Sequence, residues 1–338
     1  MRRRTERGRA GIWGALPALL LAAGTAGFAG TLKQSEELQA ARAAYEKSDY
    51  AKAVQELQTA AAKEPQNGEI QLLLTKSYIE MQEHDAAIRS AERAVGIEPQ
   101  NSVYHEWLGK AYGEKAAHAS MFSALGLARR TQREFERAVE LDEGNFSARQ
   151  ALIEFECSAP GIAGGGEDKA RVQIERLRTQ DAAEWHYALG NCRRQKKDFS
   201  AADQEFRLAL ESHPRSAELI YDVGDYAVKR GQGEELQEIA ELGEHAAPAD
   251  PRGKYYRAVG LVLKKEEAEE AEKLLREYLR RAPKRTAYPR YAVVHEWLGR
   301  LYEGKGEKSA AAREYEAALQ LEPRNKTARE SLQRVEKN

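Results

Sequence analysis

The sequence predicts an all-α chain of repeated helix–turn–helix units, and three observations carry that expectation. Ala53, Ala60 and Pro65 return as Ala87, Ala94 and Pro99, each displaced by 34 residues. The composition leans toward Ala, Glu, Lys, Leu and Arg, which lose little side-chain freedom in a helix. The recurring prolines sit where a helix must stop, because proline lacks an N–H and disfavours helical backbone at the residue before it.

The first 30 residues stand outside that pattern. Arg2, Arg3, Arg4, Arg7 and Arg9 form a basic segment, Ala10 to Thr31 carries no charge, and small residues then cluster at Gly24–Gly30. Basic, apolar and small in that order predicts a secretory signal peptide, with Gly27-Phe28-Ala29 offering small residues, Gly27 and Ala29, where a leader peptidase needs them. An uncleaved membrane anchor is the alternative, since about 20 uncharged residues can span when tilted. Its Ala/Gly richness argues for cleavage. The paired arginines lack the apolar residues of a twin-arginine signal, and no Cys follows to carry a lipid. The expected location is periplasmic or secreted. Five of the 53 basic and one of the 54 acidic residues lie in this leader, leaving a net charge of −5 on the rest. That balance argues against nucleic acid, which requires a basic footprint.

Beyond the leader the spacing continues. Ala202, Phe206, Ala209 and Pro214 are matched by Ala311, Tyr315, Ala318 and Pro323. Upstream of such sets stand Leu74 with Tyr78, Leu108-Gly109 with Tyr112, Leu189-Gly190, and Leu298-Gly299 with Tyr302. On these residues the chain resembles the tetratricopeptide repeat family, a 34-residue helix–turn–helix unit with L-G-x2-Y, then A-x3-F, then P. The spacing also makes sense on its own. Gly190 and Ala202 let two helices approach closely, Leu189 and Phe206 fill the space beside them, and Pro214 ends the second helix. One unit cannot bury its apolar stripe alone and must stack on neighbours. The resemblance implies a right-handed superhelical solenoid over 34–338, with units starting near 34, 68, 102, 146, 183, 217, 252 and 292. Residues 324–338 read as a capping helix, with Ala328, Leu332 and Val335 on one face. Units two, five and eight follow the pattern closely, one and six less so, and three, four and seven depart from it.

The departures are extra residues. Unit three has about ten too many within "GEKAAHASMFSALGLARR", and unit four about five around "SAPGIAGGGEDKA". Both are expected in the turn joining the two helices of their unit, where neighbouring turns align and build one composite lip. Met121, Phe122 and Ile162 are its candidate contact residues, because exposed apolar side chains mark contact sites. A third insertion, "KRTAYPRY" from Lys284, falls between units seven and eight and so on the opposite edge. Insertion alone proves no function, since doubling a loop costs only ~0.6 kcal/mol in closure entropy.

Several patterns that suggest chemistry fail on inspection. Gly161 and Gly166 have P-loop separation, but Glu167 and Asp168 replace the Lys and Ser/Thr that hold phosphate and Mg²⁺. Acidic residues in a first helical turn stabilise the helix and repel an anion. "HEWLG" occurs at His105 and His295 without the second His of a zinc motif, so a packing role is expected. Cys157 and Cys192 fall late in the first helices of adjacent units. An exported protein could oxidise them, but equivalent positions there are expected to lie beyond the ~7 Å Cα limit, so a disulfide is not the expectation. No nucleophile–base pair, metal set or cofactor loop is present, and no catalysis, cofactor or metal is expected.

A regular charge row remains. Arg42, Lys76 and Lys110 recur 34 apart, each with Glu four residues on at Glu46, Glu80 and Glu114. The resemblance implies that this face lines a concave peptide-binding groove, which would then carry parallel basic and acidic rails. Tyr187 and Tyr221 are the corresponding candidates in units five and six. The same spacing also fits a solvated face of local ion pairs worth ~0.2–0.5 kcal/mol each. The expected function is a non-catalytic scaffold that binds a protein or peptide through the groove or the widened edge. The alternatives are a self-associating structural scaffold or an accessory subunit of an envelope complex.

Overall fold

The computed structural model describes residues 36–337, all helices and connections, so the expected leader lies outside the described residues. The helices pair in chain order. Units one to three are α1 (Glu36–Glu46) with α2 (Tyr50–Lys63), α3 (Gly68–Glu80) with α4 (His84–Ile97), and α5 (Ser102–Ala117) with α6 (Met121–Leu141). Next come α7 (Phe146–Ser158) with α8 (Glu167–Leu177), α9 (Ala182–Gln195) with α10 (Phe199–Glu211), and α11 (Ala217–Arg230) with α12 (Gly233–Ala246). The array ends with α13 (Arg252–Lys264), α14 (Ala268–Arg281), α15 (Tyr291–Gly304), α16 (Lys308–Leu321) and a final α17 (Lys326–Lys337). Among the described residues each helix packs on its sequence neighbours, α10 on α11 through Phe206 against Tyr226, which makes the array an all-α solenoid.

Local chemistry explains the boundaries. Asn67, Asn101, Asn145, Asp181 and Ser216 cap first helices, each side chain accepting a backbone N–H of the first turn. Six of the pairs turn through left-handed backbone: one residue each at Ser48, Gln82, Lys197, Gly231 and Gly306, and two, Lys265 and Glu267, between α13 and α14. The following N–H reaches back to the first helix, as from Glu83 to the Tyr78 carbonyl at 2.9 Å, and satisfies a carbonyl the helix end would orphan. Inside a unit, an aromatic ring of the second helix lies against a glycine of the first. A Cβ on Gly190 would stand 2.6 Å from the Phe206 ring, and Gly109 with Phe135 repeats that contact.

Units three and four lack the tight turn. The extra residues of unit three do not enlarge a loop, as the sequence led us to expect. They lengthen α5 and α6 to 16 and 21 residues with a short link at 118–120. Helix-forming residues such as Glu114, Lys115 and Ala116 continue the helix at less cost than an open loop. Unit four does form an open connection. Pro160 follows the end of α7, a single 3-10 turn spans Gly161–Ala163, and Gly164 turns the chain at φ 110°. A Cβ at Gly165 would collide with the Ala159 carbonyl, so only glycine fits that crossing.

The cysteines correct the sequence expectation. Cys157 and Cys192 are bridged, with Cα atoms 5.5 Å apart. Packed helix axes lie about 8–10 Å apart and each Cα sits about 2.3 Å off its axis. Residues facing each other across the seam therefore approach well inside the disulfide limit. Unit spacing alone does not encode which way the side chains point. α7 packs against both α8 and α9, which places Cys157 on that seam.

Candidate functional site

The first helices of the units line a groove. Over α1, α3 and α5 it forms a cavity of about 960 Å³. Toward α7, α9 and α11 it continues as one of about 470 Å³. Lys110, Ser147, Glu218 and Asp222 line both, so the two are continuous.

Arg42, Lys76 and Lys110 all line the larger cavity. Among the described residues, none of the three forms the local pair with the Glu four residues on. Arg42 pairs with Glu69 of the next unit. Lys110 turns back to Glu106 at 2.5 Å and donates to the Ser147 hydroxyl at 3.4 Å. Among the described residues, Lys76 has no carboxylate within ion-pairing distance. Its ammonium lies 4.6 Å from the centroid of the Trp107 ring, and so does that of Lys110. Burial lowers the Lys76 pKa from its usual value, and the Lys110 charge lowers it further. A half-buried cation on an aromatic face, unpaired and facing a cavity, is an anion-seeking arrangement.

Two of the acidic members of the row, Glu46 and Glu80, are held by a distant part of the chain. The segment 284–288, between α14 and α15, crosses to units one and two as a strap. The Arg285 guanidinium pairs with Glu46 at 2.5 Å and lies 4.8 Å from the Tyr45 ring centroid. Thr286 donates to the Glu80 carboxylate through its N–H (2.9 Å) and its hydroxyl (3.2 Å). The Tyr50 hydroxyl donates to the Lys284 carbonyl at 3.0 Å. An insertion expected on the opposite edge therefore forms one wall of the groove. The superhelix brings the first and seventh units within reach of each other, a proximity that linear spacing does not encode.

The base of the strap is built on Arg252, which is 3% exposed. Its guanidinium makes two-pronged bonds to Glu218 (2.7 and 2.8 Å) and to Asp250 (2.7 and 3.1 Å). It also lies 4.5 Å from the ring centroids of both Tyr221 and Tyr288. Burial opposes the charge, but the two carboxylates more than offset it and hold the Arg252 pKa above its usual value. The Tyr278 hydroxyl donates to the Pro289 carbonyl at 2.9 Å and fixes the return of the strap into α15.

Residues 44–111 and 292–325 match the tetratricopeptide repeat family. The chain carries tetratricopeptide repeats at these residues. No curated protein matches it as a relative. Among solved structures it is similar to the APC/C hetero-tetramer Cut9-Hcn1, at 15% identity and TM-score 0.48, over 90% of this chain and 57% of that one. It is also similar to the C-terminal part of a repeat-containing protein from Cytophaga hutchinsonii, at 17% identity and TM-score 0.40, over 87% and 99% of the two chains. A tetratricopeptide repeat protein from Parabacteroides merdae follows at 14% identity and TM-score 0.39, over 89% and 97%. Repeats of this family are in general protein-interaction scaffolds without catalytic machinery.

Within these repeats the remaining candidates separate. Tyr187 lines the smaller cavity and donates to Asp222 at 2.8 Å. Tyr221 is not a groove contact. It is 1% exposed and stacks on Tyr256 at 5.4 Å, because the repeat places it over Gly243, where a side chain must go inward. Met121, Phe122 and Ile162 are 82%, 92% and 74% exposed. Met121 and Phe122 begin α6, and the Arg129 guanidinium donates to the Ile162 carbonyl at 3.2 Å, joining the two enlarged units. His105 and His295 are tied to Glu134 (2.6 Å) and Glu314 (2.7 Å) of their own second helices, as packing residues are.

From the sequence Trp107 is expected only as a packing residue and the strap only as an insertion, and Arg252 does not stand out. Trp107 was legible, since it lies three residues before Lys110 on the same helical face. The strap was legible as the insertion at Lys284 but its reach to units one and two was not, and Arg252 carries no local signal.

Proposed function

We propose that this protein is an exported scaffold that holds an extended segment of a partner protein in the groove walled by the strap. The carrying observation is Lys76, a half-buried cation on Trp107 without an acid partner, beside Lys110 in the larger cavity. An anionic group of the segment, such as a terminal carboxylate, would supply the missing charge. Export is supported by the basic–apolar–small order of residues 1–30. The Cys157–Cys192 bridge suits an oxidising compartment. N-terminal sequencing of the mature protein tests cleavage, and a start at Met1 would overturn it.

The groove is tested by panning a peptide library with free C-termini against the protein. Selected peptides should lose binding when amidated at the C-terminus, and the double variant Lys76→Glu, Lys110→Glu should release them. Retention by that variant sinks the groove site.

A second reading rests on the exposure of Met121, Phe122 and Ile162, which fits self-association along the lip. Sedimentation over a range of concentrations tests it, and a monomer throughout would dismiss it.

A further inference from the structure

The smaller cavity has an unusual lining. Apart from Lys110, which is committed to Glu106 and Ser147, its polar residues present mainly hydrogen-bond acceptors. Asn191 is 5% exposed, and its side-chain oxygen meets no donor. Gln150 donates its amide to Glu184, at 2.7 Å to the carboxylate and 2.8 Å to the backbone carbonyl, which leaves its own Oε1 without a partner. Asp222 accepts only the Tyr187 hydroxyl, at 2.8 Å on one oxygen. Glu154 stands nearby, its closest cation being Arg194 at 3.8 Å. Burial raises the pKa of both Asp222 and Glu184, so each carboxylate lacks the solvation or counter-charge it needs.

Orphaned acceptors at buried positions cost free energy until a donor reaches them. A guanidinium brings five N–H donors in a planar fork together with the positive charge that two desolvated carboxylates lack. An apolar or anionic group would leave the Asn191 and Gln150 oxygens unmet.

We infer that this cavity is a subsite for a cationic side chain, arginine in preference to lysine, carried by the segment that the groove holds. The inference rests on the groove reading and gives it a direction. The cation of the segment lies toward units four to six and its anionic group toward units two and three. Glu218, occupied by Arg252, marks the far wall, and Lys110 stands at the junction of the two subsites.

The test uses acetyl-arginine amide, which has no carboxylate, against acetyl-citrulline amide, its neutral isostere. Each is titrated into the isotope-labelled full chain and followed by NMR. The arginine compound should shift the side-chain amide signals of Asn191 and Gln150 saturably, and the citrulline compound should not. Asp222→Asn should weaken binding at least tenfold. Glu154→Gln, whose side chain is half exposed and supports no core contact, should weaken it about threefold at an unchanged melting temperature. Equal shifts from the two compounds, or wild-type affinity in Glu154→Gln, would overturn the subsite. Because the probe lacks a carboxylate, its result is independent of the Lys76 and Lys110 variant. If the probe binds normally while that variant keeps its peptides, the failure belongs to the groove reading alone.

Discussion

The lip at units three and four and the strap after unit seven are both extra residues on a regular repeat, yet they meet the molecule differently. The strap places Arg285 and Thr286 on Glu46 and Glu80, across 239 and 206 residues of chain. The lip ends in Met121, Phe122 and Ile162, all more than 70% exposed. Both insertions have a firm base. Arg252 anchors the strap between four carboxylate oxygens and two rings. The lip stands beside Cys157 and Glu156 on α7. The difference lies at the tips. Where the solenoid returns close to itself, an added loop becomes a cross-link. Where it does not, the added residues, helical in unit three and open in unit four, are left for solvent or a partner.

The largest expected effect is at the strap's base. Arg252→Ala leaves Asp250 with a buried, uncompensated charge and should destabilise the protein by about 3–5 kcal/mol in urea unfolding. It should also detach Tyr288 and widen the distance between spin labels on units one and eight. An unchanged distance would separate the base from the tip and break the comparison.

Next is the base of the lip. Reducing Cys157–Cys192, which closes a loop of 35 residues, should cost about 3–4 kcal/mol on the chain-entropy account. Hydrogen exchange should rise first in α7, α8 and α9, with the strap contacts unaffected.

Third is a pH effect at the same base. Burial, assisted by the charge of Glu136, raises the Glu156 pKa to about 7 from an ordinary 4.5. A carboxyl shifted upward contributes its stabilisation fully below its unfolded pKa, and that contribution disappears as pH rises through the folded value. Stability should therefore fall between pH 4.5 and 7, by roughly 2 kcal/mol. Glu156→Gln should flatten that slope in melts across the range, and a persisting slope would assign it elsewhere.

The smallest effects distinguish the two tips. Glu80→Gln weakens two hydrogen bonds to a charged acceptor and should cost about 1–2 kcal/mol. Phe122→Ser should stay within about 0.5 kcal/mol, since the ring buries nothing. A larger loss at Phe122 would mean the lip is already covered in solution, and sedimentation of the variant would then show a smaller species.

Much of this architecture is written locally. A 34-residue spacing of Ala, Gly, aromatic and Pro sets where two helices touch and where the second one ends. Asn67, Asn101 and Asn145 start helices through bonds to their own first turns. The row of Arg42, Lys76 and Lys110 was likewise readable, because equivalent repeat positions share a face. Their partners were not. Spacing within one helix suggested Glu46, Glu80 and Glu114, while the folded chain gives Arg42 to Glu69, and Glu46 and Glu80 to the strap. Tyr221 shows the same limit, since the register named its face and the glycine opposite it decided its burial.

By itself, then, the sequence determined the helices, their pairing into repeats and the face that lines the groove, because caps, turns and helical periodicity act over a few residues. Only the tertiary structure decided that Cys157 meets Cys192, that residues 284–288 reach the first two units, and that Asn191, Gln150 and Asp222 gather around one cavity. Those contacts depend on the curvature accumulated over many units, and no short stretch of sequence records that sum.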